Sequence, residues 1–273
     1  MRLTTKIILG VILSVFFVSL TFIIGFSFTD RKNYRNSYFT DIELPQENIT
    51  GMKLPTFKTI IINEIPFESE SYNFGITNCN ISFDSVPANS DAEMLFIPNV
   101  LKDFISFDTS NDTLTVKLNL HEICKKHGNG KSKYYTISRV NMHFSISNLD
   151  IINNIQTIPV NIINIETDNI KINSHGNINI DFCKAQFINL QLTDHHRSLK
   201  VTNSDIKRIN LDLDYLNWNI ENCNIEEQYI TGSGQHHIRQ HRGEQSLIKW
   251  VPKNKDAELN IKIQGDTTQI VIR

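Results

Sequence analysis

Apolar residues recur about every 20 positions in the middle of this chain, and few folds accommodate such a repeat. Pairs of apolar residues return at intervals of 20, 21 and 19 residues, and each pair is followed by two further columns of small or apolar residues. A repeat of this kind is typical of solenoids, in which each coil covers the apolar face of the next. The columns are Ile158, Ile178, Leu199 and Trp218; Val160, Ile180, Val201 and Ile220; Ile163, Cys183, Ser204 and Cys223; and Ile165, Ala185, Ile206 and Ile225.

The spacing within each unit favours strands over helices. A second apolar pair completes the unit at Ile170 and Ile172, Leu190 and Leu192, and Leu211 and Leu213. Two short period-2 stretches joined by corners fit a β-helix coil, whose strands would stack about 4.8 Å from those of the next coil. A leucine-rich repeat, the main competitor, needs a helical leg, and no unit contains a long enough stretch of 3.6-residue periodicity.

The sequence therefore predicts an all-β fold, a parallel β-helix or β-solenoid with coils of about 20 residues. Asn203 and Asn222 fall at equivalent corners, where asparagine tolerates a left-handed backbone. Hairpins are expected on both sides of the repeats, because alternating runs flank turn residues there. The first hairpin would use Phe104, Ser106, Leu114, Val116 and Leu118, and the last would use Leu259, Ile261, Ile263, Ile270 and Ile272.

The N-terminal segment differs in kind from the repeats. Residues 7–28 carry no charge, and a stretch of roughly 20 apolar residues is long enough to cross a bilayer as a helix. Residues 1–29 are therefore predicted to form one transmembrane helix that anchors the protein in a membrane. Gly25 and Ser27 also fit the small-x-small rule of signal peptidase, so a cleaved export signal is the alternative.

Either interpretation places the rest of the chain outside the cytoplasm, in a bacterial envelope, periplasm or cell surface, because a very short tail before the first span usually stays inside. Residues 30–56 are polar, contain Pro45 and Pro55 and show no sustained period. They are predicted to form a tether, followed by a β-solenoid domain at residues 57–273.

Charge and motifs limit the possible functions. A formal net charge of −2 gives no reason to expect a nucleic-acid partner. The best carboxylate pair is Asp212 and Asp214, which share the outward face of a predicted strand and could serve a polysaccharide-acting lyase or glycosidase. Lys171 and Gln191 occupy the equivalent positions of other units. A solvated strand face is thus the preferred interpretation, and no catalytic residue is assigned.

Histidines and cysteines suggest neither a metal nor a cofactor. The histidines cluster at His236, His237 and His241, and at His195 and His196, but adjacent residues of a strand point to opposite faces. Cys183 and Cys223 fall two coils apart, roughly 9.6 Å by strand spacing, whereas a disulfide needs Cα atoms within about 7 Å. These two thiols are expected to stay unpaired, and the state of Cys79 and Cys124 is left open.

Residues 121–139 form a basic stretch between strands, with Lys125, Lys126, Lys131, Lys133 and Arg139 around glycines and tyrosines. The stretch could meet anionic glycans or lipid head groups. A solvated hairpin loop is the simpler interpretation.

The order of parts resembles the auto-transporter adhesin family with a head GIN domain. The resemblance depends on the N-terminal export or anchor segment, on NDTLTVKL at an early turn, on the repeated β units and on ITGSGQHHI. It covers residues 57–273 and implies an exported β-helix-like domain with a role in adhesion, without catalytic residues.

The leading hypothesis is a membrane-anchored module that binds a glycan or an envelope protein through its outer faces. A polysaccharide-acting enzyme and a polymerising scaffold comparable to bactofilins are the alternatives.

Overall fold

The computed structural model describes residues 13–24, 39–65, 73–86, 92–130, 132, 134–192, 197–214, 216–241, 246–264 and 268–272. Residues 13–24 form helix α1, whose side chains are all exposed. Within the described ranges, no helix combines the length and the apolar character needed to cross a membrane. The other residues of the predicted span 7–28 lie outside the described ranges.

From Phe39 onward the chain is built mainly of strands, so the predicted all-β class is confirmed. The strands up to residue 154 are β1 (Phe39–Glu43), β2 (Ile49–Lys53), β3 (Thr59–Glu64), β4 (Asn73–Thr77), β5 (Asn80–Ser85), β6 (Met94–Pro98), β7 (Ile105–Ser110), β8 (Thr113–Leu118), β9 (Tyr134–Ser138), β10 (Asn141–Ile146) and β11 (Ile151–Asn154). A 3-10 helix (Asn99–Phe104) precedes β7, and helix α2 (Leu120–His127) follows β8.

The later strands alternate between two sheets of ten strands each, sheet B and sheet C. Sheet B contains β12, β14, β16, β18, β20 and β22, and sheet C contains β13, β15, β17, β19, β21 and β23. Strand β12 pairs in parallel with β5, and each strand from β13 onward pairs in parallel with the strand two elements earlier. These strands are β12 (Val160–Ile163), β13 (Glu166–Ser174), β14 (Ile178–Asp181), β15 (Lys184–Leu192), β16 (Arg197–Thr202), β17 (Asp205–Asp212), β18 (Leu216–Glu221), β19 (Asn224–Gly232), β20 (Gln235–His241), β21 (Ser246–Pro252), β22 (Glu258–Gln264) and β23 (Thr268–Ile272).

Two of the three predicted steps between units have the observed register. Leu199 pairs with Ile178 on one side and with Trp218 on the other, and all three side chains are buried. The first step is wrong by two residues, because Val160 rather than Ile158 pairs with Ile178. The same slip affects the other columns: Thr167 pairs with Ala185, and Ile170 with Ile188. A shift of two residues keeps every side chain on its own face, so the apolar pattern alone could not detect it.

The corners between sheets B and C have a left-handed backbone, as expected for the two predicted asparagines. Residue φ is 50° at Asn203 and 54° at Asn222 and Asn164. Phe182 occupies the same corner in its coil with a φ of 51°, although its side chain is 58% exposed. An aromatic residue gains nothing there from burial and pays the steric cost of the left-handed conformation, which asparagine tolerates better.

Phe182→Asn is therefore expected to raise the free energy of unfolding by about 0.5–1 kcal/mol, since the variant restores the corner residue used by the neighbouring coils. The measurement is the midpoint of chemical denaturation. Phe182→Val serves as the control, because a β-branched residue is unfavourable in this conformation. Equal midpoints for the two variants would contradict the explanation.

The N-terminal end of the stack departs from the predictions in three ways. The predicted tether is folded from Phe39 onward: β1 pairs with β9 in a small sheet A, and β2 pairs with β6 at the end of sheet B. The β7–β8 hairpin is present, but Ile105 and Phe107 face Leu118 and Val116, whereas Ser106 is exposed. The apolar row of β7 is therefore made by Ile105 and Phe107, one residue further along the chain than the predicted row of Phe104 and Ser106.

The third departure is helix α2, which lies where a solvated loop was predicted. The side chain of Asn119 caps the helix by accepting a hydrogen bond from the Glu122 amide at 3.0 Å. Leu120, Ile123 and Cys124 are buried, and the helix packs against β9 and the 3-10 helix.

The C-terminal hairpin prediction is wrong. Strand β22 pairs with β20 and strand β23 with β21, both in parallel. The two alternating runs thus continue the succession of strands from sheet B to sheet C. The same sequence pattern, two alternating runs around a turn, is compatible with a hairpin and with such a connection between sheets.

Candidate functional site

The long strands of sheet C change direction near their middle. In β15, Gln186 and Phe187 are both exposed, while Ala185 and Ile188 on either side are buried. A straight strand would alternate, so two adjacent outward residues mark a bend. The bend recurs in β17, where Lys207 and Arg208 lie between the buried Ile206 and Ile209.

Two adjoining concavities follow this bend on the outer surface, and we call them together the outer groove. They have volumes of ≈ 570 and ≈ 610 Å³ and share Asn148, Thr167 and Asp168. The turn between β10 and β11 supplies Asn148 and Asp150.

Acidic and basic residues alternate from strand to strand in the first concavity. Lys184 pairs in register with Glu166 on one side and Asp205 on the other, and all three line the concavity. The two carboxylates are thus two strands apart with a lysine position between them.

Phe187 provides the aromatic surface of the second concavity. Its side chain is 38% exposed, and Asn169, Lys171 and Asn189 line the same space. Asn169 pairs in register with Phe187 on the neighbouring strand. The ring therefore borders the groove together with amide groups that can both donate and accept hydrogen bonds.

A ladder of cations and aromatic rings supports Phe187 from the other side. The Arg208 guanidinium lies 5.3 Å from the centre of the Phe187 ring and 4.8 Å from that of Tyr229. Arg208 Nε also donates to Glu227 Oε2 at 2.7 Å. Lys249 Nζ lies 4.5 Å from the centre of the Tyr229 ring. These contacts fix the guanidinium in place, so the Phe187 ring rests on a preorganised neighbour.

Asp212 and Asp214, the carboxylates singled out from sequence, are drawn into an ion cluster away from the groove. Lys253 Nζ donates to Asp212 Oδ2 at 2.6 Å and to Asp214 Oδ2 at 2.8 Å. Asp214 lies in the turn after β17 and also accepts from the Ser233 amide at 2.6 Å. Burial would raise the pKa of Asp214, but the hydrogen bonds from Lys253 and Ser233 outweigh it and lower the pKa to about 2.

The side chains of Asp212 and Asp214 thus stay partly exposed, at 33% and 18%, but they belong to an ion cluster and are not freely solvated carboxylates. His236 Nε2 approaches Asp214 Oδ1 at 3.3 Å, and the imidazole ring packs edge-on against Trp250. The absence of a side chain at Gly232 makes space for the imidazole ring, because a Cβ at that position would lie 2.5 Å from the His236 Nε2 atom. The cluster ties three successive turns of chain together, and the lysine offsets part of the negative charge of its two carboxylates.

Lys253→Met should lower the free energy of unfolding by about 1 kcal/mol at pH 7, since two neighbouring carboxylates lose their shared cation. The folded-state pKa of Asp214 lies below its ordinary 3.8, so the stabilisation is present above that value and is lost as the pH falls towards about 2. The difference from wild type should therefore vanish over this range in denaturant titrations. Lys255→Met, an exposed lysine two residues on, is the control; a pH-independent difference would contradict the assignment.

The remaining candidates from sequence do not converge on a site. Within the described ranges, no three histidine, cysteine or acidic side chains are placed to hold a metal ion. His237 is exposed; His195 and His196, and the side chain of His241, lie outside the description. Lys125 and Lys126 lie on α2 and Arg139 pairs with Glu43, whereas Lys131 and Lys133 are outside the described residues.

All four cysteines are buried free thiols. Cys183 and Cys223 lie on either side of Ser204 in one column, as predicted, because Lys184, Asp205 and Asn224 pair in succession. Burial raises the pKa of these two thiols.

Comparisons with known proteins give distant structural likenesses. A proposed adhesin from Bacteroides fragilis is 17% identical, with 84% of this chain and 100% of that chain covered and a TM-score of 0.46. A proposed adhesin from Parabacteroides distasonis is 9% identical, with 86% and 100% covered and a TM-score of 0.43. A proposed lipid-binding protein from the same species is 12% identical, with 85% and 100% covered and a TM-score of 0.41. No family model and no curated protein matches the chain.

Proposed function

We propose that this chain is a membrane-anchored, extracytoplasmic β-solenoid that binds glycans through the outer groove in a non-enzymatic, adhesin-like role. The observation that carries the proposal is the exposed Phe187 ring at the edge of a concavity lined by amides and charges. The solenoid form is supported by the regular alternation of strands between sheets B and C, and the anchor by the uncharged residues 7–28.

The groove combines the two kinds of surface that a sugar presents. The C–H face of a pyranose packs on the electron-rich face of an aromatic ring, and Phe187 supplies such a ring. Neighbouring hydroxyls need donors and acceptors, which Asn169 and Asn189 provide as amides and Asp150 and Asp168 as carboxylates. An open, shallow groove on a rigid sheet suits a chain of sugars better than a small enclosed ligand.

Binding fits the groove better than cleavage. A glycosidase needs one carboxylic acid that stays protonated and a second carboxylate across the scissile bond. Glu166 and Asp205 are exposed, and Lys184 occupies the position between them. A protonated acid instead requires burial or a close carboxylate.

A glycan array with the detergent-solubilised full chain tests the proposal. Binding to a defined set of oligosaccharides, lost in Phe187→Ala and retained in Phe182→Ala, is the expected result. Phe182 belongs to the same coil and is exposed at the corner, so it matches the substitution without touching the groove. If the wild-type protein and Phe187→Ala bind the same oligosaccharides equally well, the proposal is overturned.

Localisation is tested separately with a single cysteine at an exposed position, Lys255→Cys. The natural thiols are buried, so a membrane-impermeant maleimide should label only the introduced cysteine in intact cells or in cells with a permeabilised outer membrane. Labelling only after lysis would place the domain in the cytoplasm and overturn this part of the proposal.

A further inference from the structure

The N-terminal end of the stack carries an exposed aromatic pair. Phe39 is 50% exposed and Tyr134 is 38% exposed, and their rings stack with centres 5.2 Å apart. Ile49, on the edge strand β2 at the same end, is 67% exposed. Solvent-exposed apolar groups that cluster at one end of a soluble domain mark a contact surface.

Hydrogen bonds hold this end together. Asn129 Nδ2 donates to Thr40 Oγ1 at 2.8 Å, and Thr40 and Ser132 share a hydrogen bond of 2.6 Å. Thr40 follows Phe39, so these bonds connect β1 to the segment after α2. They hold the strand that carries Phe39 close to the C-terminal end of that helix.

Helix α2 adds exposed lysines to this surface. The side chains of Lys125 and Lys126 are 68% and 55% exposed. Their ion pairs, Lys125 Nζ to Glu122 Oε1 at 3.3 Å and Lys126 Nζ to Asp103 Oδ2 at 3.4 Å, are both solvent-exposed. Exposed pairs of this kind contribute little, so either lysine can exchange its partner for a lipid phosphate.

Chain length identifies what lies opposite this surface. Ten residues lie between Phe39 and Phe28, the last residue of the apolar stretch, and the eleven Cα-to-Cα steps that join the two residues span at most about 40 Å. The ten strands of sheet B stack to a length of roughly 43 Å, and β1 lies at the end where the chain enters. This end is therefore the one that the covalent link keeps near the bilayer.

We infer that Phe39, Tyr134 and Ile49, with Lys125 and Lys126, form a surface that rests on anionic phospholipid head groups. Aromatic rings favour the interface between hydrocarbon and water, and lysines favour anionic lipid. The domain then stands upright on the membrane with its C-terminal coils outward. The inference rests on the anchor in the proposed function.

Energy transfer in vesicles tests this orientation with the full chain. A dye on Lys102→Cys, beside α2, or on Lys255→Cys, in the C-terminal coils, is paired with an acceptor on the lipid head groups of phosphatidylcholine vesicles with phosphatidylglycerol. Transfer should be strong from residue 102 and weak from residue 255. Phe39→Ser with Tyr134→Ser should lower the transfer from residue 102 at least about twofold, and Lys125→Gln with Lys126→Gln should remove its dependence on phosphatidylglycerol.

Phe182→Ser is the matched control, since it removes an exposed aromatic ring elsewhere and should leave transfer unchanged. If the chain stays in the membrane after an alkaline carbonate wash, the anchor is present. In that case, equal energy transfer from both dyes, or no effect of the aromatic substitutions, would overturn the inferred contact surface alone. Chain removed by the wash would overturn the anchor itself.

Discussion

Ile206→Asp is expected to abolish soluble folding. Ile206 is fully buried and stands between Ala185 and Ile225 in one inward column. A carboxylate there would lose its hydration, and the side chains of Ala185 and Ile225 offer it no hydrogen-bond donor. The cost is about 4 kcal/mol or more, a large part of the 5–15 kcal/mol that stabilises a typical domain.

The control for this variant is the adjacent residue. Lys207 is exposed on the opposite face of β17, so Lys207→Asp should keep the protein soluble with a melting temperature within a few degrees of wild type. Soluble expression, circular dichroism and thermal melting separate the two outcomes. A folded Ile206→Asp protein with an unchanged melting curve would contradict the inward position of this column.

Phe187→Ala is expected to weaken glycan binding at least tenfold, or about 1.4 kcal/mol. The substitution removes the aromatic surface from the groove and leaves Asn169, Asn189 and the charged residues in place. Because Arg208 loses one of its two aromatic contacts, a small loss of stability, up to about 1 kcal/mol, should accompany the effect. Isothermal titration with the best oligosaccharide from the array measures the affinity.

Two further variants make the result specific. Phe187→Tyr keeps the ring and should retain most of the affinity, whereas Phe182→Ala should bind like wild type. Equal affinities of Phe187→Ala and wild type would show that the ligand lies elsewhere on the molecule.

The inward columns of the later coils were predictable from sequence, because burial imposes the same requirement on each coil. Leu199, Val201, Trp218 and Ile220 stand in the predicted pairs. The first unit was misaligned because it is 18 residues long rather than 20, as the pairing of Val160 with Ile178 shows. The apolar pattern shows only which face of a strand a side chain occupies, and a shift of two residues leaves that face unchanged. The register between neighbouring strands therefore depends on the geometry of the corners, which the pattern does not contain.

Helix α2 and the groove were missed for different reasons. Helix α2 has only 8 residues, and so short a helix depends on tertiary packing rather than on its own sequence signal. The groove arises from the bend that puts Gln186 and Phe187 outward together. Strict alternation would place one of these two side chains in the interior. From sequence, the aromatic one is then predicted to belong to the core. Lys253 joins Asp212 across 41 positions, a separation that no local pattern reveals.

Because the strands alternate between two sheets, the length of the stack can change only by whole pairs of strands, one in each sheet. A duplicated coil would add one strand to sheet B and one to sheet C and would lengthen the stack by about 4.8 Å. Neighbouring coils would keep their contacts, since each touches only the one before and the one after. Under the proposed function, relatives with more or fewer coils between the N-terminal end and the outer groove would hold the proposed glycan-binding surface at a different distance from the membrane.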